Sequence, residues 1–203
     1  YALTGAWNKN KNYTVKFNED AKFTIKKRPT RVDIADVTKV YGEKDPAATS
    51  FTYRVFDTAL NPEVEYTDPK KLAEFGITVS CGGHSEDVGE YNLVGACANG
   101  NYEVTFTGKL TITPASVTVT LPYVETIYGN EVDHSDLAGK VVAEGPITDT
   151  DLDAIKGTVS CECGKGTPDS GVYQIDATVP DSVKANKNYS VDIEGPSEDG
   201  AHG

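Results

Sequence analysis

The chain has 203 residues, 38% apolar and 25% charged, with a net charge of −12 and no methionine. That balance is globular, with enough apolar side chains for a small core, and no apolar run reaches the eighteen or so residues of a membrane-spanning helix. The acidic excess argues against nucleic acid and against an anionic membrane face, both of which call for a basic surface.

Residues 1–28 read as two strands. Tyr1 to Ala6 alternates, Trp7 to Asn12 is a polar loop, and Tyr13, Val15 and Phe17, then Phe23 and Ile25, alternate with polar residues. This is the period-2 signal of half-buried strands. The segment is basic, with seven Lys or Arg against two acids. Pro29 marks a boundary. Val32, Ile34, Val37, Val40 and Tyr41 then form a strand closed by turn chemistry at Gly42 and Asp45-Pro46. A second strand covers Phe51 to Phe56. Asp68 caps a short helix with Pro69 at its first position and Gly76 as its stop, and it turns Leu72 and Phe75 to the core. Strands follow at Ile77 to Cys81, Tyr91 to Cys97 and Tyr102 to Ile112.

Much of this recurs. Gly89-Glu90-Tyr91 with Asn101-Tyr102-Glu103-Val104-Thr105-Phe106 returns as Gly171-Val172-Tyr173 with Asn188-Tyr189-Ser190-Val191-Asp192-Ile193, and Asn12-Tyr13-Thr14-Val15-Lys16-Phe17 is a third copy. A period of about eighty to ninety residues marks tandem modules. In the later copy Val117, Val119 and Leu121 repeat the first strand and Tyr128-Gly129 the Tyr-Gly corner. The helix returns at Thr150 to Gly157, capped by Thr148 or Thr150. Residues 129–203 hold fifteen acids against five Lys, an asymmetry that fits ordinary drift between repeats of solvated faces or, alternatively, head-to-tail attraction between chains. The expected organisation is a hairpin remnant at 1–28, one repeat at 29–115, and a second at 116–203 with a truncated last strand and a tail. The short linker Thr113-Pro114-Ala115 predicts limited hinging. The expected class is α+β and β-rich, each module a sheet with one short helix, β-grasp-like. The alternative is an immunoglobulin-like sandwich with 68–76 and 150–157 as loops. Lacking both a signal peptide and a Met at residue 1, the chain reads as a processed part of something longer.

The pattern Val-x-Lys-Val-Tyr-Gly-x-x-Asp-Pro at 37–46, Val-Gly-Glu-Tyr at 88–91 and Asn-Tyr-x-Val-x-Phe-x-Gly-x-Leu-Thr-Ile-Thr-Pro at 101–114 resembles the MBG domain family of the Tyr-Gly-x type. The resemblance extends over both repeats and the remnant. In the second repeat Glu131-Val132 replaces Asp-Pro and the closing Thr-Ile-Thr-Pro is missing. The family consists of tandem modules of bacterial surface and secreted proteins, adhesins among them. The resemblance therefore implies an extracellular setting, on the cell surface or secreted, and transfers no catalytic residue. Lys and Asn suited to the isopeptide cross-links of some bacterial adhesins are also abundant.

Candidate chemistry is sparse. Cys81, Cys97, Cys161 and Cys163 can pair in an oxidising compartment. A Cys81–Cys97 bridge needs Cα atoms within about 7 Å, whereas a hairpin about residues 82–90 sets the two at opposite ends. Cys161 and Cys163 can close a Cys-x-Cys ring, and free thiols are the third reading. Cys81, His84, Cys161 and Cys163 offer zinc ligands, but in two clusters eighty residues apart. Asp149, Asp151 and Asp153 resemble the start of a calcium loop without its Gly, and they equally suit the first turn of a helix. No metal or cofactor is expected. His84, His134 and His202 sit in no nucleophile motif, so no enzyme is expected. Trp7, Tyr53, Tyr66 and Tyr123 stand outside the repeat pattern and form a candidate glycan platform, while Tyr91, Tyr102, Tyr173 and Tyr189 read as core. The expected role is a non-enzymatic extracellular spacer or adhesive segment of a bacterial surface protein. Its partners would be neighbouring repeats and a host or cell-wall glycan or protein, and the alternative is a glycan-binding module.

Overall fold

The structure, a computed structural model, describes residue 12, residues 14–16 and residues 21–195. The strand expected at Tyr1 to Ala6 and the platform residue Trp7 lie outside them. The chain divides into two compact units, one of Tyr1–Ile34, Thr52–Val79 and Gly95–Thr107, the other of Ala35–Phe51, Ser80–Val94 and Gly108–Gly203.

The first unit is built on a sheet of β1 (Arg28–Ile34), β3 (Tyr53–Asp57), β4 (Val64–Glu65) and β8 (Tyr102–Thr107) in the order β4-β3-β1-β8. β2 (Val37–Val40) lies between β1 and β3 in the chain and belongs to the other unit. β1 is antiparallel to β3 and parallel to β8. Alternation along β1 buries Thr30, Val32 and Ile34, and Val32 sits opposite Val55, both with no exposed surface. Helix α1 (Pro69–Phe75) closes the core. Asp68 accepts the Lys70 amide at 2.9 Å, and Phe75 packs between the rings of Tyr66 and Tyr102, at 5.2 and 4.4 Å. Burial of such a ring contributes about 2–3 kcal/mol. Gly76 ends the helix at φ +57°, with Ala98 Cβ 2.9 Å from where a side chain would begin, so only glycine fits there. Asp57 is buried but satisfied by Arg28, the Tyr66 hydroxyl and the Ala59 amide. β5 (Ile77–Ser80) pairs with β7 (Val94–Cys97).

The second unit holds β2 (Val37–Val40), β6 (Gly89–Asn92) and β9 (Lys109–Thr113) in the order β2-β9-β6. β9 is central, parallel to β2 and antiparallel to β6, and buries Leu110 and Ile112. The same unit contains the later repeat. There β10 (Ala115–Thr120) lies between β11 (Val142–Glu144), antiparallel, and β14 (Tyr189–Glu194), parallel. Helix α3 (Asp149–Lys156) starts at Thr148, whose hydroxyl accepts the Asp151 amide. β12 (Ser160–Cys161) pairs with β13 (Ile175–Asp176). Val117, Val119, Leu137, Ile155, Val159 and Val183 form its core. Only Pro114 separates β9 from β10, and the buried Ala115 donates its amide to the Asn188 carbonyl.

Three expectations change. Each long strand of the first repeat is broken: at Ala35-Asp36 between β1 and β2, at Leu93 between β6 and β7, and at Gly108 between β8 and β9. Gly108 takes φ +131°, a conformation that side chains disfavour. The break at 35–36 shifts the buried phase from even to odd positions, so Lys39 is buried and Val40 is exposed. The second repeat also has more than one helix, adding α2 (His134–Ala138) and α4 (Asp181–Lys184). Residues that a sandwich would leave as loops are helical in both repeats. The class is α+β and β-rich, as expected.

Candidate functional site

A dense polar cluster lies in the second unit, around Lys39. β2 places Lys39 opposite Ile112 of β9, with its side chain 3% exposed. Its ammonium donates to Asp45 Oδ1 and Glu86 Oε2, each at 2.6 Å, and to the Glu43 carbonyl at 3.3 Å. Asp45 follows the Tyr41-Gly42 corner, and Glu86 lies in the loop before β6, so a strand end and a distant loop converge. Burial opposes the lysine's charge, but hydrogen bonds to Asp45 and Glu86 outweigh it and hold the ammonium above its ordinary range.

His84 extends the cluster. Nδ1 lies 2.6 Å from the Ser85 carbonyl and Nε2 lies 3.0 Å from Asp45 Oδ2. Both neighbours are acceptors, an arrangement that favours the doubly protonated ring. The carbonyl of Ser85 and the carboxylate of Asp45 raise His84 accordingly. Asp45 is held below its usual range, chiefly by the Lys39 hydrogen bond. With His84 protonated, two cations face two carboxylates.

Cys81 is buried beside them, and the ligand atoms of Asp45, Cys81 and His84 lie within 4.8 Å of one another. Sulfur, imidazole and carboxylate suit zinc, but the Lys39 ammonium already neutralises Asp45. The zinc set considered from sequence is corrected: Cys161 and Cys163 are joined in a disulfide, Cα atoms 5.1 Å apart. The Cys81–Cys97 bridge is likewise corrected, since both are free thiols, and Cys97 Sγ donates to the Phe75 carbonyl at 3.1 Å. Burial and the charge of Asp45 push the Cys81 thiol up, the reverse of an activated nucleophile. Asp149, Asp151 and Asp153 lie within α3, and Asp151 accepts from the Tyr189 hydroxyl and from Asn186, which favours the helix-end reading over a calcium loop.

The aromatic candidates do not converge. Tyr66 is corrected as a platform residue, because its hydroxyl bonds Asp57 and its ring packs on Phe75. Tyr53 is exposed on β3 of the first unit. Tyr123 is exposed in the second unit, on the wall of a cleft of about 750 Å³ bounded by residues 122–128 and 168–175. Among the repeat tyrosines, Tyr189 is buried and Tyr102 packs on Phe75, whereas Tyr173 is exposed in that cleft. The sequence signal for Lys39 was the slip in hydrophobic phase between Ile34 and Val37. Nothing local pointed to Glu86.

No family model, curated protein or solved structure matches this chain.

Proposed function

We propose that the chain is a non-enzymatic, extracellular segment of a bacterial surface protein, with tandem modules similar to the MBG family serving as spacer or adhesive elements. One observation carries this reading: the two repeats share a strand arrangement. In each, the first and last strands pair in parallel, β1 with β8 and β10 with β14, and an antiparallel strand flanks the first, β3 or β11. In each, a capped helix precedes a short antiparallel pair, α1 before β5 and α3 before β12. Parallel pairing of the first and last strands, with a helix between them in the chain, supports the β-grasp-like reading; the first strand is interior to its sheet and the last, β8 or β14, lies at the edge. One strand arrangement copied in series is what a spacer requires.

Two features support the setting and the lack of catalysis. The Cys161–Cys163 disulfide belongs to an oxidising compartment. The Lys39 cluster is self-neutralised, with its thiol held in the protonated form.

Protease treatment of intact source cells tests location: release of fragments of this chain is expected, and full protection overturns the surface reading. A glycan array separates spacer from lectin. No sugar retained at millimolar concentration is expected, whereas retention abolished by Tyr53→Ala or Tyr123→Ala would replace the spacer role with glycan binding.

A further inference from the structure

Asp45, Cys81 and His84 form the one trio of metal-binding side chains among the described residues whose ligand atoms come together, all within 4.8 Å. They lie in a single compact unit. Cys81 and His84 are joined by Gly82-Gly83. Gly82 takes φ +70°, and Val94 Cγ2 lies 2.9 Å from where a side chain would begin, so only glycine makes this turn. The turn aims a sulfur and an imidazole at one point, as two ligands spaced closely along a chain do in zinc sites. Asp45 arrives from the corner after β2, 39 residues before His84.

Burial separates this group from an ordinary surface cluster. Cys81 is 5% exposed and the His84 side chain 4%, while the Asp45 side chain, at 39%, leaves a path from solvent. The Tyr91 ring stands 5.2 Å from the His84 ring. Cys97 Sγ donates to the Phe75 carbonyl, but among the described residues no hydrogen bond occupies the Cys81 thiol.

The surroundings of a metal site are already built. A ligating histidine donates its far nitrogen to an acceptor, and a ligating carboxylate is itself hydrogen-bonded. His84 Nδ1 lies 2.6 Å from the Ser85 carbonyl, which leaves Nε2 facing Asp45 Oδ2 at 3.0 Å. Lys39 donates to Asp45 Oδ1 and to Glu86, and leaves Oδ2 to the imidazole. Zinc bonds of about 2.0–2.3 Å set tetrahedral ligand atoms about 3.3–3.6 Å apart, so sulfur, nitrogen and oxygen close on one ion with shifts of roughly 1 Å.

We propose that Asp45 Oδ2, Cys81 Sγ and His84 Nε2 bind one zinc ion, with water in the fourth position. Lys39 does not stand in the way. With His84 doubly protonated, zinc takes the place of the thiol proton and the Nε2 proton, two positive charges for two, and the balance among Lys39, Asp45 and Glu86 is kept. The ion ties the corner after β2 to the Gly82-Gly83 turn and stabilises the folded chain. This goes beyond the spacer role and does not depend on it.

The full chain tests this, stripped of metal with a chelator and kept free of oxygen and of reductant, so that Cys81 stays a thiol and Cys161 and Cys163 stay joined. Added cobalt(II) gives the visible bands of a four-coordinate ion and a thiolate charge-transfer band, both saturating at one equivalent and both abolished by zinc. Zinc raises the melting temperature. Cys81→Ser removes the charge-transfer band and Cys97→Ser keeps it. Asp45→Asn and His84→Ala each weaken zinc by at least about tenfold. In the unsubstituted chain zinc shifts the ring-proton signals of His84 and leaves those of His134, a readout that needs no variant to fold. A wild type without the thiolate band, a band that survives Cys81→Ser, or His84 signals that zinc does not move overturns the proposal.

Discussion

The backbone amide of Val88 donates to Asn188 Oδ1 at 2.8 Å, and Asn188 Nδ2 donates back to Asp87 Oδ1 at 2.9 Å. One side chain of the later repeat thereby closes on the turn before β6, a hundred residues earlier. The ring of Tyr41 lies 6.1 Å from that of Tyr189 in the same unit. These contacts join the later repeat to the turn before β6 and to Tyr41 within one unit. Replacing Asn188 by Ala leaves the Val88 amide without its partner and costs about 1–2 kcal/mol. A lower urea midpoint with unchanged slope, and faster hydrogen exchange at Val88, are the expected readouts. An unchanged midpoint contradicts the pinning.

Lys39 holds two carboxylates from different loops. Lys39→Met keeps the aliphatic stem and removes the charge. Glu86 is 66% exposed, so solvent screening discounts that half of the interaction. A net loss of about 1–3 kcal/mol is expected, mostly from the Asp45 side. Denaturation of Lys39→Met against Glu86→Gln reads the split, with the lysine variant the weaker of the two.

The pair of His84 and Asp45 makes stability depend on pH in both directions. His84 is raised above its ordinary 6.5, so its contribution is complete below about that pH and is lost as pH climbs through the folded value. Asp45 is lowered below 3.8, so its contribution is complete above about that pH and is lost as pH falls through the folded value. The two overlap between about pH 4 and 6.5. Proton NMR of His84 should show a titration above the ordinary value that moves down in Asp45→Asn. No movement in that variant contradicts the contact.

Thiol chemistry distinguishes the four cysteines. In denaturant without reductant two react with a thiol reagent, Cys81 and Cys97, and reduction brings all four into reach. In the native protein Cys81 reacts slowly because it is buried. Four reactive thiols before reduction would contradict the disulfide.

Several features were readable from local chemistry. Helix α1 was announced by Asp68, Pro69 and Gly76, all within nine residues, and each occupies the expected cap position. Helix α3 begins after Thr148 for the same reason. Alternation marked the strands, and Cys161 and Cys163 were close enough in sequence to bridge. The breaks at Ala35-Asp36, Leu93 and Gly108 were not read, because alternation persists on both sides of a kink and only its phase records the turn. Tyr66 was misplaced because its partner, Asp57, lies on another strand.

From the residues alone came the repeat, the capped helices, the strand-rich class and the acidic balance, all properties of neighbours within a few positions. The tertiary structure decided which distant groups meet: Lys39 with Glu86 and Val88 with Asn188. These depend on segments far apart in the chain being brought together, and the physical reason is that desolvation and hydrogen bonding act on distance in space rather than on order in sequence.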